Sequence, residues 1–207
     1  MNLGVLENHP IVPVVVIDDA DWAMALAEAL CAGGIRCAEV TLRTPAALDA
    51  VASMRQIADF SVGVGTVLTA NDVDRAADVG AEFVVSPGWD DRVVDRAREK
   101  GLTVLPGVAT ASEVMCAMRA GFDVVKFFPA DALGGLPTIH SLAGPFPGVG
   151  FVPSGGVSNE NCAEYLAHPN VPAVSGSWMA PRGLIASGDF PEIQRLSARA
   201  VTAAGAL

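Results

Sequence analysis

The sequence predicts one α/β domain over residues 1–207, built as a (β/α)8 TIM barrel with a short extra N-terminal helix over residues 1–9. Short runs rich in Val, Ile or Phe recur at a spacing of roughly 25 residues, which is typical of repeated βα units. Such a composition is expected of parallel strands that are buried on both faces. A doubly wound open sheet is the alternative fold. It is disfavoured because no GxGxxG motif follows the first run and candidate site residues follow many strands.

These apolar runs predict eight strands. In chain order they are Ile11–Ile17, Cys37–Leu42, Ser61–Val64, Phe83–Ser86, Thr103–Leu105, Val124–Phe128, Gly150–Pro153 and Ala173–Gly176. Each is short enough for a strand and too short for a core helix.

The helices between the strands are indicated by the residues at their ends. A glycine pair stops the helix predicted over Asp21–Ala32, and Thr44-Pro45 is predicted to cap the next helix. Capping-box spacing begins two further helices, at Thr69–Asp72 and at Thr110–Glu113. Asp189–Ala204 is predicted as a terminal helix.

Composition limits the classes of function. The chain has a formal net charge of −10, which argues against nucleic-acid binding because that function needs a basic surface. No apolar run reaches the ~18 residues of a membrane span, and the N-terminus lacks a signal peptide's basic and apolar segments. The four cysteines form no CxxC pair, which favours reduced thiols in a cytoplasmic protein. Any anion site must be built locally, because the net charge repels anions.

The chain has two lysines, and their surroundings differ. Lys100 lies in a charged, helix-like segment, whereas Lys126 interrupts the apolar strand predicted over Val124–Phe128. Burying an ammonium group costs free energy unless the group is paired or neutralised. A neutral amine is a nucleophile towards carbonyl groups, which is the chemistry of Schiff-base enzymes. Two interpretations stay open: a structural lysine paired with a carboxylate, and a catalytic nucleophile.

Charged residues also interrupt the second predicted strand. Glu39, Thr41 and Arg43 share one parity there, so their side chains point to the same face. A glutamate buried in a barrel strand needs a neighbouring cation. Glu39 is therefore either half of a structural ion pair, with Lys126 or Arg43, or a general acid/base beside a Schiff-base lysine.

Glycines follow the last two predicted strands. Gly155-Gly156 and Gly176 each lie between a strand and the N-terminus of the next helix. In TIM barrels the loops after strands seven and eight commonly bind phosphate through exposed N–H groups and helix dipoles. Two such loops in the correct units favour a phosphate site.

Six motifs resemble those of the 2-keto-3-deoxy-6-phosphogluconate (KDPG) aldolase family, also called 4-hydroxy-2-oxoglutarate aldolases. They come in the family's order and spacing, cover nearly the whole chain, and are Glu39–Thr44, Gly63–Val67, Val85–Gly88, Leu105–Val108, Val125–Ala130 and Ser154–Val157. The resemblance implies a class I aldolase on a (β/α)8 barrel that needs no metal or other cofactor and usually forms homotrimers. It implies a lyase of carbohydrate metabolism, in the Entner-Doudoroff pathway. Such an enzyme splits a phosphorylated keto-deoxy sugar acid, KDPG, into pyruvate and glyceraldehyde 3-phosphate, and also splits 4-hydroxy-2-oxoglutarate into pyruvate and glyoxylate.

By the same resemblance, Lys126 is the Schiff-base lysine and Glu39 is the acid/base carboxylate. The implied substrate-binding residues hold the pyruvate carboxylate (Arg43, Thr66), shape the pocket (Pro87, Phe128) or bind the phosphate (Gly155, Gly156, Ser177). The chain departs from the family pattern at Ser154, where Thr is frequent, and at Ser175, where Gly is frequent. Ser175 therefore adds a side chain near the phosphate loop.

Three other functions stay open. A 2-dehydro-3-deoxy-6-phosphogalactonate aldolase would use the same chemistry, but that branch carries an arginine at the end of the first strand, which this chain lacks. A phosphate-binding barrel isomerase or epimerase would use Lys126 only to hold an anion. A catalytically silent barrel would bind phosphate and release no pyruvate. A metal-dependent aldolase is disfavoured because the three histidines fall away from the strand ends: His9, His140 and His168.

Overall fold

Strands and helices alternate along the chain, of which the computed structural model describes residue 6 and residues 8–205. The strands in this part of the chain are β1 (Ile11–Val15), β2 (Cys37–Thr41), β3 (Ser61–Gly65), β4 (Phe83–Val85), β5 (Thr103–Leu105), β6 (Gly107–Val108), β7 (Val124–Phe127), β8 (Gly150–Pro153) and β9 (Val174–Gly176). All eight predicted strands are confirmed, and their ends differ from the prediction by at most two residues. The sequence did not predict β6, because a proline and a glycine at positions 106–107 are signals for a turn.

The helices over residues 8–205 lie between the strands and after β9. They are α1 (Ala23–Ala32), α2 (Ala47–Met54), α3 (Ala70–Asp78), α4 (Asp91–Glu99), α5 (Ala111–Arg119), α6 (Gly135–Ala143), α7 (Cys162–Leu166), α8 (Arg182–Ser187) and α9 (Phe190–Gly205). Both predicted capping boxes are confirmed, at Thr69 for α3 and at Thr110 for α5.

The predicted helix cap at Thr44 is wrong. Helix α2 begins at Ala47, and its N-cap is Ala46, which makes no side-chain capping bond. The Thr44 hydroxyl instead donates a hydrogen bond to the carbonyl of Ile17. This bond joins the loop after β2 to the loop after β1, so a residue expected to start a helix holds two loops together.

The strands pair in parallel and form two sheets. One sheet has the order β5-β4-β3-β2-β1-β9, and the other has the order β6-β7-β8. A single parallel bridge between Ser154 and Ser175 links the end of β8 to β9, and β5 continues through Pro106 into β6. The α/β class with curled parallel sheets is confirmed, whereas full closure into a barrel stays a prediction.

The sheets are buried on both faces. Every residue of β1, β2, β4 and β7 is buried, which explains why these strands are mostly apolar instead of alternating in polarity. Inside the sheets, the ring of Phe83 occupies the space above Gly63, where an added Cβ would lie 2.5 Å from ring carbons.

The extra helix predicted over residues 1–9 lies outside the described residues, apart from Leu6, Asn8 and His9. None of the helices in the described residues combines the length and the apolarity needed to cross a lipid bilayer.

Candidate active site

A buried ion pair joins two strands that are not neighbours in either sheet. Lys126 lies on β7 and is 6% exposed, and Glu39 lies on β2 and is 1% exposed. The Lys126 Nζ donates to Glu39 Oε1 at 3.2 Å and to Oε2 at 3.4 Å. Because β2 and β7 pair with other strands, this contact crosses the interior that the curled sheets enclose. An amine and a carboxylate thus lie within hydrogen-bond reach of each other, which is the arrangement that nucleophilic catalysis with proton transfer requires.

An aromatic ring completes the surroundings of the amine. The Lys126 Nζ lies 5.5 Å from the centroid of the Phe128 ring, within the range of a cation–π interaction. Phe128 also lines the neighbouring cavity. The ring therefore forms a wall common to the amine and to that cavity.

The cavity beside Lys126 has a volume of about 170 Å³ and brings together five of the residues that the resemblance implies. Those five are Arg43, Phe128, Gly155, Gly156 and Ser177. They come from the ends of β2, β7, β8 and β9, so the four loops converge at one end of the sheets. Charged and backbone donors here face a space large enough for a phosphate group.

The glycine pair after β8 is required by the backbone. Gly155 has a φ of +88° and Gly156 a φ of +85°, a region that other residues adopt only with strain. A Cβ at Gly156 would also lie 2.9 Å from Cγ of Asp131. The Asn161 side chain fixes the loop, because its Nδ2 donates to the Gly156 carbonyl at 3.0 Å and its Oδ1 accepts from the Ser158 N–H at 2.8 Å.

Arg43 lines the same cavity as this glycine loop and brings a positive charge to it. Its side chain has no hydrogen-bond or ion-pair partner among the residues that the structure describes. The predicted alternative of a Glu39–Arg43 ion pair is therefore absent from these residues, where Glu39 pairs with Lys126. The guanidinium is free to bind an anion.

Thr66 and Pro87 lie outside the lining of this cavity, on the side of the ion pair. Thr66 directly follows Gly65, against which the Glu39 side chain packs, and it has a φ of +58°. That value is strained for a β-branched residue, and such strain is common at functional sites. Pro87 packs its backbone against Gly107, which pairs in register with Lys126.

Gly176, from the second glycine loop predicted to bind phosphate, also lines the cavity, whereas three lining residues had no role predicted from the sequence: Val14, Ser154 and Val157. Val14 carries no chemical signal, and only its register opposite Glu39 places it here. Ser154 stands where Thr is frequent in the family that the sequence resembles. Ser175, expected near the phosphate loop, is fully buried beside Ser154, and its Oγ has no hydrogen-bond partner in the described residues.

An ion pair at the same end of the sheets joins the loop after β1 to α8. The Arg182 guanidinium donates to Asp18 through Nε at 2.7 Å and through Nη2 at 2.6 Å. These hydrogen bonds hold the pKa of the Asp18 carboxyl below its ordinary value. Within the described residues, no three or more His, Cys, Asp or Glu side chains cluster in a way that could hold a metal ion.

Comparison with known proteins agrees with this geometry. The family model described as "KDPG and KHG aldolase" matches residues 4–196. The 2-dehydro-3-deoxy-phosphogluconate aldolase of Treponema pallidum is 46% identical over 98% of this chain and 97% of its own length.

Two solved structures are similar along nearly their whole length. The KDPG aldolase of Zymomonas mobilis with 3-phosphoglycerate has a TM-score of 0.90 and 42% identity, covering 95% of this chain and 92% of its own. The KDPG aldolase of Legionella pneumophila, with pyruvate captured as a covalent carbinolamine, has a TM-score of 0.90 and 39% identity, covering 94% and 95%. On these matches, the chain belongs to the KDPG and KHG aldolase family.

Proposed function

We propose that this chain is a class I aldolase that cleaves KDPG to pyruvate and D-glyceraldehyde 3-phosphate without a metal ion. The observation that carries the proposal is the buried Lys126, whose Nζ lies 3.2 Å from a Glu39 oxygen. The same site accepts 4-hydroxy-2-oxoglutarate and releases pyruvate and glyoxylate, with lower kcat/KM because that substrate lacks the phosphate.

The first half of the cycle joins the substrate to the enzyme. Glu39 takes a proton from the Lys126 ammonium group, the freed amine attacks the C2 ketone, and a proton passes from the attacking nitrogen to the carbonyl oxygen to give a carbinolamine. Glu39 delivers the proton with which the C2 hydroxyl leaves as water, and the iminium ion forms. Because its carboxylate lies so close to Nζ, Glu39 can serve the proton transfers both in forming the carbinolamine and in releasing water from it.

The second half breaks the C3–C4 bond. Glu39, directly or through a water molecule, removes the proton of the C4 hydroxyl, and the electron pair of the C3–C4 bond moves into the iminium. The aldehyde product leaves, and the enamine takes a proton at C3. Water then hydrolyses the pyruvate imine and frees Lys126.

The remaining residues bind and orient the substrate. Gly155 and Gly156 offer N–H groups to the phosphate, and Ser177 offers a hydroxyl. Arg43 and Thr66 hold the carboxylate of the pyruvate half. The Pro87 and Phe128 side chains shape the pocket. Together with Lys126 and Glu39, these residues make up the proposed site. Binding energy from the distant phosphate fixes the reacting carbons beside Lys126 and so raises the rate.

The decisive experiment is reductive trapping. Borohydride added with pyruvate is expected to attach a reduced pyruvyl group to the peptide that contains Lys126, as found by mass spectrometry after digestion. Lys100 is the internal control, because its amine pairs with Asp74 at 3.2 Å on the surface. Labelling at Lys100 alone, or no labelling, contradicts the proposal.

A coupled assay of pyruvate release tests the substrate. KDPG is expected to react faster than its galactonate epimer, since β1 ends without an arginine. Equal or reversed rates would assign the chain to the galactonate branch. An isomerase or epimerase would keep some turnover in Lys126→Arg, whereas aldol cleavage through an imine is lost in that variant.

We further propose that residues 1–207 form one domain whose eight strands close into a barrel, with β5 and β6 as two halves of a single strand. The bridge between Ser154 and Ser175 and the Lys126–Glu39 contact across the interior support closure. The homotrimer implied by the family resemblance is tested by light scattering. A cytoplasmic location is supported by the four cysteines, none of which forms a disulfide.

A further inference from the structure

We propose that Gly65 is a positioning residue for Glu39: the missing side chain at Gly65 leaves the space in which the Glu39 carboxylate reaches Lys126. The inference rests on the proposed aldolase function and adds to it a residue that touches no substrate.

The space at Gly65 is filled by Glu39. An added Cβ at Gly65 would lie 2.5 Å from Cγ and 2.7 Å from Cδ of Glu39, and closer still to Oε1. The backbone of Gly65 does not adopt a positive φ, so its conformation does not require glycine. Space alone does, because carbon atoms in contact lie about 3.5–4.0 Å apart.

The backbone at Gly65 is fixed, so a clash there displaces the Glu39 side chain. Glu39 is 1% exposed, so its carboxylate has no solvent to turn into. Strand β3 is held from both sides, since Gly65 pairs with Thr41 of β2 on one side and with Val85 of β4 on the other. A methyl group at position 65 therefore moves the outer half of the Glu39 side chain by about 1 Å.

A displacement of that size separates the carboxylate from the amine. The hydrogen bonds of 3.2 Å and 3.4 Å from Lys126 Nζ lie at the upper end of their range already. A misplacement of about 1 Å in a catalytic group can reduce a rate by about 100-fold. The phosphate cavity is built by other loops, so binding at that end is expected to persist.

The test compares Gly65→Ala with Gly63→Ala. Both glycines lie on β3 and face the same side, but the three atoms nearest to a methyl at Gly63 all belong to the ring of Phe83. Both variants are expected to lower Tm by about 3–10 °C through overpacking. Only Gly65→Ala is expected to lower kcat for pyruvate release by about 100-fold. Its affinity for inorganic phosphate is expected to stay within about twofold of the wild type.

A second measurement decides the case if Gly65→Ala folds poorly. In Glu39→Ala the carboxylate is gone, and a methyl at position 65 has room. Adding Gly65→Ala to Glu39→Ala is therefore expected to lower neither Tm nor the residual kcat any further.

The inference is overturned if Gly65→Ala keeps the wild-type kcat, or if it lowers Tm equally in the wild-type and Glu39→Ala backgrounds. Failure of the proposed function is a different result, since the wild-type protein would then release no pyruvate at all. The comparison of Tm between the two backgrounds needs no activity and still tests the contact in that case.

Discussion

Replacing Lys126 with methionine separates the structural role of the buried ion pair from its catalytic role. The substitution keeps most of the side-chain volume and removes the charge, so Glu39 is left 1% exposed without its cation. At 3.2 Å and an effective dielectric constant of about 20, the lost attraction is about 5 kcal/mol. Removing one partner of a buried pair typically destabilises by about 3–5 kcal/mol, so we expect a loss in that range.

The assay is urea unfolding at neutral pH together with pyruvate release. The matched control adds Glu39→Gln to Lys126→Met, which removes the orphaned charge. This double variant is expected to recover most of the lost stability, because replacing both members of a buried pair is often nearly neutral. Lys100→Met removes a partly exposed pair with Asp74 and is expected to change stability by about 0–1 kcal/mol.

Both variants at Lys126 are expected to release no pyruvate, since methionine cannot form an imine. Pyruvate release by Lys126→Met would refute the catalytic role. A double variant as unstable as Lys126→Met would refute the claim that the loss comes from an unpaired carboxylate. A loss below about 1 kcal/mol in Lys126→Met would mean that solvent reaches the pair in solution.

Three more changes test the remaining parts of the site. Gly156→Ala is strained at a φ of +85°, so KM for the phosphorylated substrate is expected to rise about 10-fold or more with turnover of 4-hydroxy-2-oxoglutarate unchanged. Gly183→Ala, with open space around the added methyl, is its neutral control. Thr66→Gly relieves a φ of +58° and is expected to raise stability by about 0.5–1 kcal/mol while kcat/KM falls about 10-fold. If Thr66→Gly has the stability and the activity of the wild type, Thr66 is neither strained nor needed for function. Asp18→Asn is expected to lower Tm at pH 7, by an amount that decreases as the pH falls below the ordinary carboxyl pKa. Hydrogen bonds from Arg182 lower the pKa of Asp18 in the folded protein. The stability that the ionised Asp18 contributes is therefore present above the ordinary carboxyl pKa and is lost as the pH falls through the lowered pKa of the folded protein. An effect on Tm that does not change with pH would contradict this linkage.

The class of fold and the main catalytic candidates could be predicted from local patterns. Apolar runs buried on both faces and recurring at a constant spacing are sufficient to predict parallel strands separated by helices. A charged residue inside such a run is conspicuous, which is why Lys126 and Glu39 were found and why each was expected near an opposite charge. Capping boxes at Thr69 and Thr110 involve residues three apart, and they were predicted correctly for the same reason.

Errors arose where a residue's partner is distant in sequence. Thr44 has the pattern of a helix cap, but its hydroxyl bonds to Ile17, 27 residues earlier. β6 begins at a glycine directly after a proline and forms because β7 pairs with it. Val14 has no polar group and joins the site through its register opposite Glu39.

The sequence by itself determined the alternation of strands and helices, the lysine and the glutamate inside apolar strands, and the glycine pair after the seventh predicted strand. These features depend on residue type and on spacing along the chain, which short-range periodicity records. Only the tertiary structure decided that Glu39 pairs with Lys126 and not with Arg43, and that it does so over Gly65. That outcome depends on strand register and on the curvature of the sheets, which bring together side chains 87 residues apart and cannot be obtained from either segment alone.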